Sequence, residues 1–287
     1  MSNIKTIPLT LIALFAFAAN SVFCRLALNS EHVPPLDFTV IRLMSAAFVL
    51  AIIILFQNKI KLSGLTHHGS YSGAFYLFIY AAGFSYAYVS LGTATGALIL
   101  FACVQFTMLF RAWLLGSRMG VQEYIGIFLS VAGFVYFVLP ELEKPSVVGC
   151  VLMAIAGVAW GFYSIIGSKS KQPLYDTASN FLRLVPISLL GLAFILVDTG
   201  LTITPMGWVY TVASGALASG VGYAIWYLVL PNLAPSIAAV CQLSVPIWAA
   251  AGGILLVNEP LDTHLAISAA VILGGILLVI LAKTKSK

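Results

Sequence analysis

The fold is decided by two stretches of sequence, TVIRLMSAAFVLAIIILF at residues 39–56 and NFLRLVPISLLGLAFILV at residues 180–197. They align with each other at an offset of 141 residues, which places Arg42 on Arg183, and the hydropathy peaks of the chain repeat at the same offset. The other identical residues that pair without a gap include Leu43 and Leu184, Tyr86 and Tyr227, Ala97 and Ala238, Val104 and Val245, and Gly133 and Gly274. Self-similarity of this kind predicts two tandem copies of one structural unit.

Composition places both copies in a membrane. Of the 287 residues, 61% are hydrophobic and 8% are charged, with a mean hydropathy of +1.05, whereas an ordinary soluble domain carries about 25% charged residues. Apolar stretches near the roughly 20 residues that cross a bilayer lie at about 7–27, 36–56, 71–91, 94–115, 121–139, 146–167, 177–197, 207–229, 235–256 and 262–282. The sequence therefore predicts an all-α integral membrane protein with ten transmembrane helices, five in residues 1–141 and five in residues 142–287.

The positive charges predict the orientation. With a cytoplasmic N-terminus, ten spans return the C-terminus to the same side, and most basic loop residues then face the cytoplasm, as the positive-inside rule requires. Those residues are Lys5, Lys59, Lys61, Arg118, Lys169, Lys171, Lys283, Lys285 and Lys287. The pI near 9.0 thus reflects lysines beside anionic lipid heads and not a nucleic-acid partner. Short loops favour a multi-pass protein of the bacterial cytoplasmic membrane, with both termini cytoplasmic.

Five spans per half is an odd number, so the second half enters the membrane from the side opposite to the first. The two repeats are therefore predicted to be inverted. Two related halves of this kind can exchange conformations, which opens a cavity near the midplane first to one side and then to the other. This arrangement favours a secondary transporter, and the alternative is a duplicated scaffold that transports nothing.

The arrangement resembles the drug/metabolite transporter superfamily, and specifically its EamA-like ten-span members. The residues that carry the resemblance are Ile41-Arg42-Leu43, Leu182-Arg183-Leu184, Trp160-Gly161, Gln242-Leu243-Ser244-Val245-Pro246 and Asn258-Glu259-Pro260. The first half departs from the pattern, with Asn20, Gln105 and Arg118 at the places of Gly161, Pro246 and Glu259. The resemblance implies an exporter, exchanger or facilitator of amino acids, other metabolites or drugs.

Polar and aromatic residues inside the spans are the candidates for substrate binding, because an intramembrane polar group must find a partner or face water. They are Asn20, Tyr76, Tyr80, Gln105, Trp160, Tyr163, Tyr223 and Gln242. Spacings of four (Tyr76, Tyr80) and three (Trp160, Tyr163) put each pair on one helix face. One interpretation is a central cavity lined by aromatic rings, where amides orient the substrate. The other is that the amides make interhelical hydrogen bonds and the rings pack.

Three further residues are candidates for gating or structural roles. Arg42 and Arg183 each lie a turn or two inside a span and, with inverted repeats, near opposite membrane faces. They are gate elements in one interpretation, and in the other they snorkel to the interface or fix a helix end. Pro and Gly residues in spans seven to nine predict bent helices, with Pro246 placing a kink beside Gln242.

The absence of some charged residue types from the middle of the predicted spans limits the substrate classes that we expect. No Asp, Glu or Lys lies in the middle third of any predicted span, so coupling through a membrane-embedded glutamate is not expected. With only peripheral arginines to bind phosphate, neutral, zwitterionic or weakly charged solutes such as amino acids or amphipathic amines are favoured. The four cysteines lack metal-ligand spacing, and neither a metal nor another cofactor is expected.

Other functions stay open at this level. A membrane-embedded enzyme or a lipid-handling protein would need side chains that converge on one site, whereas the four histidines lie at span ends or in loops. We therefore expect no enzyme activity, and a channel is the remaining alternative to a carrier. Spans five and ten carry glycines that permit close helix contact, either in a homodimer or within the monomer. The predicted partners are a small-molecule substrate and the lipid bilayer.

Overall fold

The computed structural model describes residues 3–29, 32–57, 62–116, 120–138, 147–233, 241–260 and 262–285, and within these ranges the chain is helical and contains no strand. The helices are α1 (Asn3–Asn29), α2 (Pro35–Gln57), α3 (Tyr71–Ala87), α4 (Thr93–Leu114), α5 (Val121–Val138), α6 (Val147–Gly167), α7 (Pro173–Asp198), α8 (Pro205–Val229), α9 (Val245–Val257) and α10 (Thr263–Lys285), with short 3-10 segments at Leu62–His67 and Leu230–Asn232.

Seven of these helices, α1, α2, α4, α6, α7, α8 and α10, are long and apolar enough to cross a membrane, and Val121–Tyr136 of α5 and α9 are shorter apolar helices. The prediction of an all-α membrane protein is therefore confirmed. The number of crossings and the inversion of the halves stay predictions. The predicted boundary after residue 141 falls in 139–146, outside the described residues.

Apolar side chains lie on the surface and polar side chains lie inside, as expected of a protein surrounded by hydrocarbon. Large apolar side chains such as Phe56, Phe128 and Val197 are exposed, at 83%, 71% and 88% of their surface, whereas Asn20 and Arg42 are buried. In water this distribution would expose apolar surface at a high cost in free energy, but against lipid tails it costs nothing. The polar groups must then satisfy one another inside the bundle.

Helices α5 and α10 pack against each other along their length, since glycines let their backbones approach closely. The Ser130 hydroxyl donates to the carbonyl of Ile272 at 3.2 Å, and a Cβ atom on Gly126 would lie 2.6 Å from the carbonyl oxygen of Gly275. The close contact expected of spans five and ten therefore forms within the monomer. A homodimer through the outer face of either helix stays a prediction.

The glycine-rich part of α8 is irregular, as the predicted bends in spans seven to nine suggest. Residues Ala213–Val221 form a π-helix between two α-helical segments, an arrangement often found at functional sites. Helix α7 continues past Pro186. Before α9 the chain turns at residues 243–244, and Pro246 lies in the first turn of the new helix, where its missing N–H is tolerated. Residues 234–240 of the predicted ninth span lie outside the described residues.

Two neighbouring glycines of α10 provide a matched test of the α5–α10 contact. We expect Gly275→Ala to destabilise the protein by about 1–3 kcal/mol, because its Cβ would lie 2.8 Å from the amide nitrogen of Ser130. Gly274→Ala has no heavy atom within 4 Å of its Cβ, so it should leave the stability unchanged or raise it slightly. Thermal unfolding in detergent, followed by tryptophan fluorescence, measures both. Equal unfolding temperatures would contradict the contact.

Candidate functional site

A narrow cavity lies among helices α1, α3, α4, α6 and α8. Its wall consists of Phe17, Asn20, Ser21, Tyr80, Phe84, Leu100, Phe101, Trp160, Ala218 and Tyr223. The cavity volume is only ≈ 20 Å³, about enough for one water molecule. A metabolite therefore fits only after the wall has moved apart.

A chain of hydrogen bonds runs through one side of this wall. The Ser214 hydroxyl, in the π-helical segment of α8, donates to Oδ1 of Asn20 at 2.7 Å. The Asn20 amide donates to the Tyr80 hydroxyl at 3.1 Å, and Nη2 of Arg42 donates to the same hydroxyl at 3.0 Å. Four helices, α1, α2, α3 and α8, are thus joined at the cavity. This is the interhelical bonding expected of intramembrane amides, formed at the wall of a cavity.

Arg42 supports the cavity wall from behind. Its side chain is not part of the wall, but its guanidinium lies 4.6 Å from the ring centre of Phe84 and 5.2 Å from that of Tyr80. Cations are attracted to aromatic faces at such distances, most strongly where water is excluded. Only 2% of the Arg42 surface is exposed. The side chain therefore reaches the interior of the bundle instead of snorkelling to an interface.

The π-helical segment fixes where Arg42 lies. Gly215 contacts the backbone of α2 so closely that an added Cβ would lie 2.9 Å from Cα of Arg42 and would collide with the Ser45 hydroxyl. Only glycine permits this approach. Because the same segment carries Ser214 and Ala218, it positions the hydrogen-bond chain and part of the wall together.

Aromatic rings form the other side of the wall, with Trp160 at their centre. Its ring centroid lies 4.7 Å from that of Tyr80, 5.1 Å from that of Tyr223 and 5.2 Å from that of Tyr163. Such spacings are favourable for tilted and offset rings. The predicted pair of Trp160 and Tyr163 on one face of α6 therefore forms, although Tyr163 lies behind Trp160 and outside the wall.

Tyr163 separates the cavity from a second pocket. Its hydroxyl is 2.9 Å from the Thr177 hydroxyl, and both residues line a pocket of ≈ 80 Å³ together with Asp176, Asn180 and Tyr227. This pocket lies toward the N-terminal end of α3, since Gly69 and Ser70 also line it. Trp160 and Tyr163 thus form a two-ring partition between the cavity and a more polar vestibule.

Besides Tyr163, three candidates from the sequence are not in the cavity wall. Tyr76 stacks on Phe162 with ring centroids 5.2 Å apart, which is a packing contact between α3 and α6. Gln105 is buried on α4, one turn beyond the wall residue Phe101, and its Nε2 has no hydrogen-bond partner. Gln242 is half-buried near the start of α9, away from the wall.

Arg183, the sequence equivalent of Arg42, has a different environment. Its Nη1 donates to the Ser179 hydroxyl at 2.8 Å, and its Nη2 donates to the carbonyl of Thr66 at 3.0 Å. It therefore attaches the 3-10 segment Leu62–His67 to α7 at the N-terminal end of α3. Nearby, Asp176 accepts a hydrogen bond from the backbone of Gly69 at 2.8 Å. This fits the interpretation of Arg183 as a residue that fixes a helix end.

Sequence analysis missed a second network at the opposite end of α3, centred on Glu259. Both carboxylate oxygens accept from the backbone N–H of Thr93, at 2.9 and 2.8 Å, and Arg25 pairs with Oε1 at 3.3 Å. Thr93 is the first residue of α4, and a carboxylate at a helix N-terminus is stabilised by the helix dipole. Arg25 also donates to the carbonyl of Tyr88 at 2.9 Å. The network ties α1, α3, α4 and α9 together.

Local backbone geometry directs Glu259 to this position. Asn258 has a left-handed conformation, with φ of 58°, and ends α9 while the backbone N–H of Glu259 donates to the carbonyl of Gly253 at 3.0 Å. Asparagine tolerates this conformation better than most residues. The Asn258-Glu259-Pro260 motif was the available signal, but nothing in the sequence identifies the N-terminus of α4 as its partner.

Comparison with known proteins agrees with this architecture. The model of the EamA-like transporter family matches the chain twice, over residues 4–139 and 147–281. The chain belongs to the EamA-like transporter family, which makes it a membrane transport protein by class. The family resemblance predicted from the sequence is therefore confirmed.

The relatives support the same class. An uncharacterized protein of Pseudomonas aeruginosa is 42% identical over 98% of this chain and 96% of its own. An uncharacterized transporter of Archaeoglobus fulgidus is 26% identical over 96% and 97%. A probable amino-acid metabolite efflux pump of Escherichia coli is 25% identical over 93% and 92%. One solved crystal structure, 21% identical, superposes with a TM-score of 0.65 over 94% of this chain and 97% of the other, which indicates a shared fold.

The Glu259 network can be tested by the accessibility of Cys24, a fully buried thiol next to Arg25. On a background with the other three cysteines replaced by alanine, we expect Glu259→Gln to raise the rate of Cys24 labelling by a membrane-impermeant maleimide several-fold. The variant loses the charge that holds Arg25 and the N-terminus of α4. Glu123→Gln is the matched control, since Glu123 accepts from the local backbone of Gly120 at 2.7 Å. Unchanged labelling in Glu259→Gln would contradict the inference that the Glu259 network holds α1, α3, α4 and α9 together.

Proposed function

We propose that this protein is a secondary transporter that moves small organic metabolites, such as amino acids or amphipathic amines, through the central cavity by alternating access. The observation that carries the proposal is the position of the cavity. It lies along α3 between two networks, one at each end, and its wall combines aromatic rings with a polar chain. A carrier needs such a site, closed toward one side while it is open toward the other.

The proposed mechanism uses two inverted halves of five helices each, comprising residues 1–141 and 142–287. The repeat at an offset of 141 residues and the two consecutive matches of the family model support this division. In one state the Glu259 network separates and the cavity opens at the C-terminal end of α3. In the other, the contacts of Asp176 and Arg183 separate at its N-terminal end, and the partition formed by Trp160 and Tyr163 moves aside.

Export or exchange across a bacterial cytoplasmic membrane, with both termini cytoplasmic, is the proposed direction and setting. It is supported by the distribution of lysines and by the relative described as a probable efflux pump. Among the described residues that form the cavity wall there is no carboxylate or histidine. Elsewhere in the described chain, His32 and His264 contact Thr204 and the carbonyl of Tyr136, far apart in sequence. This favours a carrier over a membrane-embedded enzyme or a lipid-handling protein.

Uptake into proteoliposomes tests the transporter proposal. Pools of labelled amino acids and of small amines are presented with and without an imposed pH gradient. We expect saturable uptake by the intact chain, and at least a tenfold loss of apparent affinity in Trp160→Ala, since this ring contacts three other aromatic rings around the cavity. Alanine substitution of an aromatic ring that stacks on a nucleic-acid base costs about 1–3 kcal/mol, and a tenfold loss of affinity corresponds to about 1.4 kcal/mol.

Trp113→Ala is the matched control, because Trp113 is half-exposed on the outer surface of α4. Its uptake should equal that of the intact chain. Linear, non-saturating flux would indicate a channel, and equal uptake by protein-free vesicles would contradict transport. Uptake driven by the pH gradient would count against the argument that transport is not coupled to protons through a membrane-embedded glutamate.

A further inference from the structure

Arg42 is a buried cation without an anion. The ion pairs among the described residues are Arg25 with Glu259 and His68 with Asp176, and neither includes Arg42. One nitrogen of its guanidinium, Nη1, is buried and has no hydrogen-bond partner within the part of the chain that the structure describes. A charge in a membrane interior is costly unless it is paired and hydrogen-bonded. The contacts with two aromatic rings and one hydroxyl compensate only part of this cost.

The comparison with Arg183 makes the missing partner more significant. Both arginines occupy the same position in the two repeats, and Arg183 donates from both terminal nitrogens to a hydroxyl and a carbonyl. Arg42 donates from one of them, to the hydroxyl of Tyr80, which lines the cavity. A residue that only fixed a helix end would be satisfied by its own fold, as Arg183 is.

The hydroxyl of Tyr80 connects Arg42 with the cavity, because it accepts a hydrogen bond from the guanidinium and belongs to a residue of the wall. Its oxygen accepts from both Arg42 and Asn20, so its own hydrogen is used in neither bond and can be donated within the cavity, where the Tyr223 hydroxyl is a neighbouring hydrogen-bonding group. A donor in contact with a cation forms stronger hydrogen bonds to anions. Since the described wall residues include no carboxylate, none of them neutralises the positive field of Arg42.

We propose that the cavity recognises an organic carboxylate, which pairs with Arg42 and accepts a hydrogen bond from the Tyr80 hydroxyl, while the rest of the solute lies among the aromatic rings. This inference rests on the proposed transport function and narrows its substrate class. Carboxylic acids and zwitterionic amino acids fit the site. Amines without a carboxylate are repelled by the same charge. A single cation balances a single carboxylate, so dianions are left with an unpaired charge.

The size of the cavity explains how the carboxylate reaches Arg42. The wall must move apart to admit any metabolite, because the present space holds about one water molecule. Tyr80 and Phe84 are the rings that separate the guanidinium from the cavity. Movement of the Tyr80 or Phe84 ring away from the guanidinium would open Arg42 to a solute in the cavity.

Matched pairs of solutes test this inference in proteoliposomes. The probes are labelled phenylalanine and leucine, their primary amides, and the corresponding amines without a carboxyl group. We expect the intact chain to prefer each acid over its amide at least tenfold in apparent affinity, since a hydrogen bond between two charged groups is stronger than one to a neutral amide. In Arg42→Gln the preference should fall to less than about threefold, and Arg42→Lys should restore part of it. Arg183→Gln should leave the preference unchanged.

The outcomes separate this inference from the transport function. Uptake of amides or amines as readily as acids by the intact chain would overturn the inference and leave transport intact. An unchanged acid preference in Arg42→Gln would also overturn it. Saturable uptake of no probe would overturn the transport proposal itself. If Arg42→Gln does not fold, Tyr80→Phe removes only the hydroxyl, and it must lower the ratio of acid to amide affinity for the inference to stand.

Discussion

The burial of one guanidinium inside an apolar bundle is the constraint on which the other features of the site depend. A charge at this depth is costly, and several unusual features compensate for that cost around Arg42. Two aromatic rings face it, the Tyr80 hydroxyl accepts from it, and Gly215 lets a π-helical segment pack against its backbone. These features fix where four helices meet, and so they fix where the cavity lies.

Much of this architecture could be predicted from the sequence, because hydrocarbon restricts the chain severely. Membrane-spanning helices follow from runs of apolar residues, and buried polar groups such as Asn20 must find partners. The same reasoning could not place Tyr76 or Gln242. Which neighbour faces each turn of a helix depends on helix rotation and on distant segments, so two tyrosines four residues apart have different partners. Tyr80 contacts Arg42, whereas Tyr76 contacts Phe162.

The two arginines of the repeat illustrate a second limit of prediction from the sequence. Sequence similarity relates Arg42 to Arg183, but the segments that pack on them differ. A π-helical stretch of α8 lies beside Arg42, and a 3-10 segment lies beside Arg183. A duplicated residue can therefore acquire two roles without any change of its own, because partners elsewhere in the chain decide whether its hydrogen bonds are satisfied. Glu259 is a similar case, since its partner Thr93 is distant in sequence.

Alternating access requires that neither end of the bundle be closed too firmly. A net hydrogen bond contributes about 0.5–1.5 kcal/mol, or more to a charged group, so the few bonds of the Glu259 network hold its end with several kcal/mol. A solute bound with micromolar affinity supplies about 8 kcal/mol, but only the part that differs between two states can shift their populations. If the wall of the central site must move before the solute binds, the two states differ strongly in their affinity for the solute. In the proposed carrier, a bound carboxylate would satisfy the unpaired donor of Arg42 in the rearranged cavity, and this would couple binding to the movement of helices that both networks restrain.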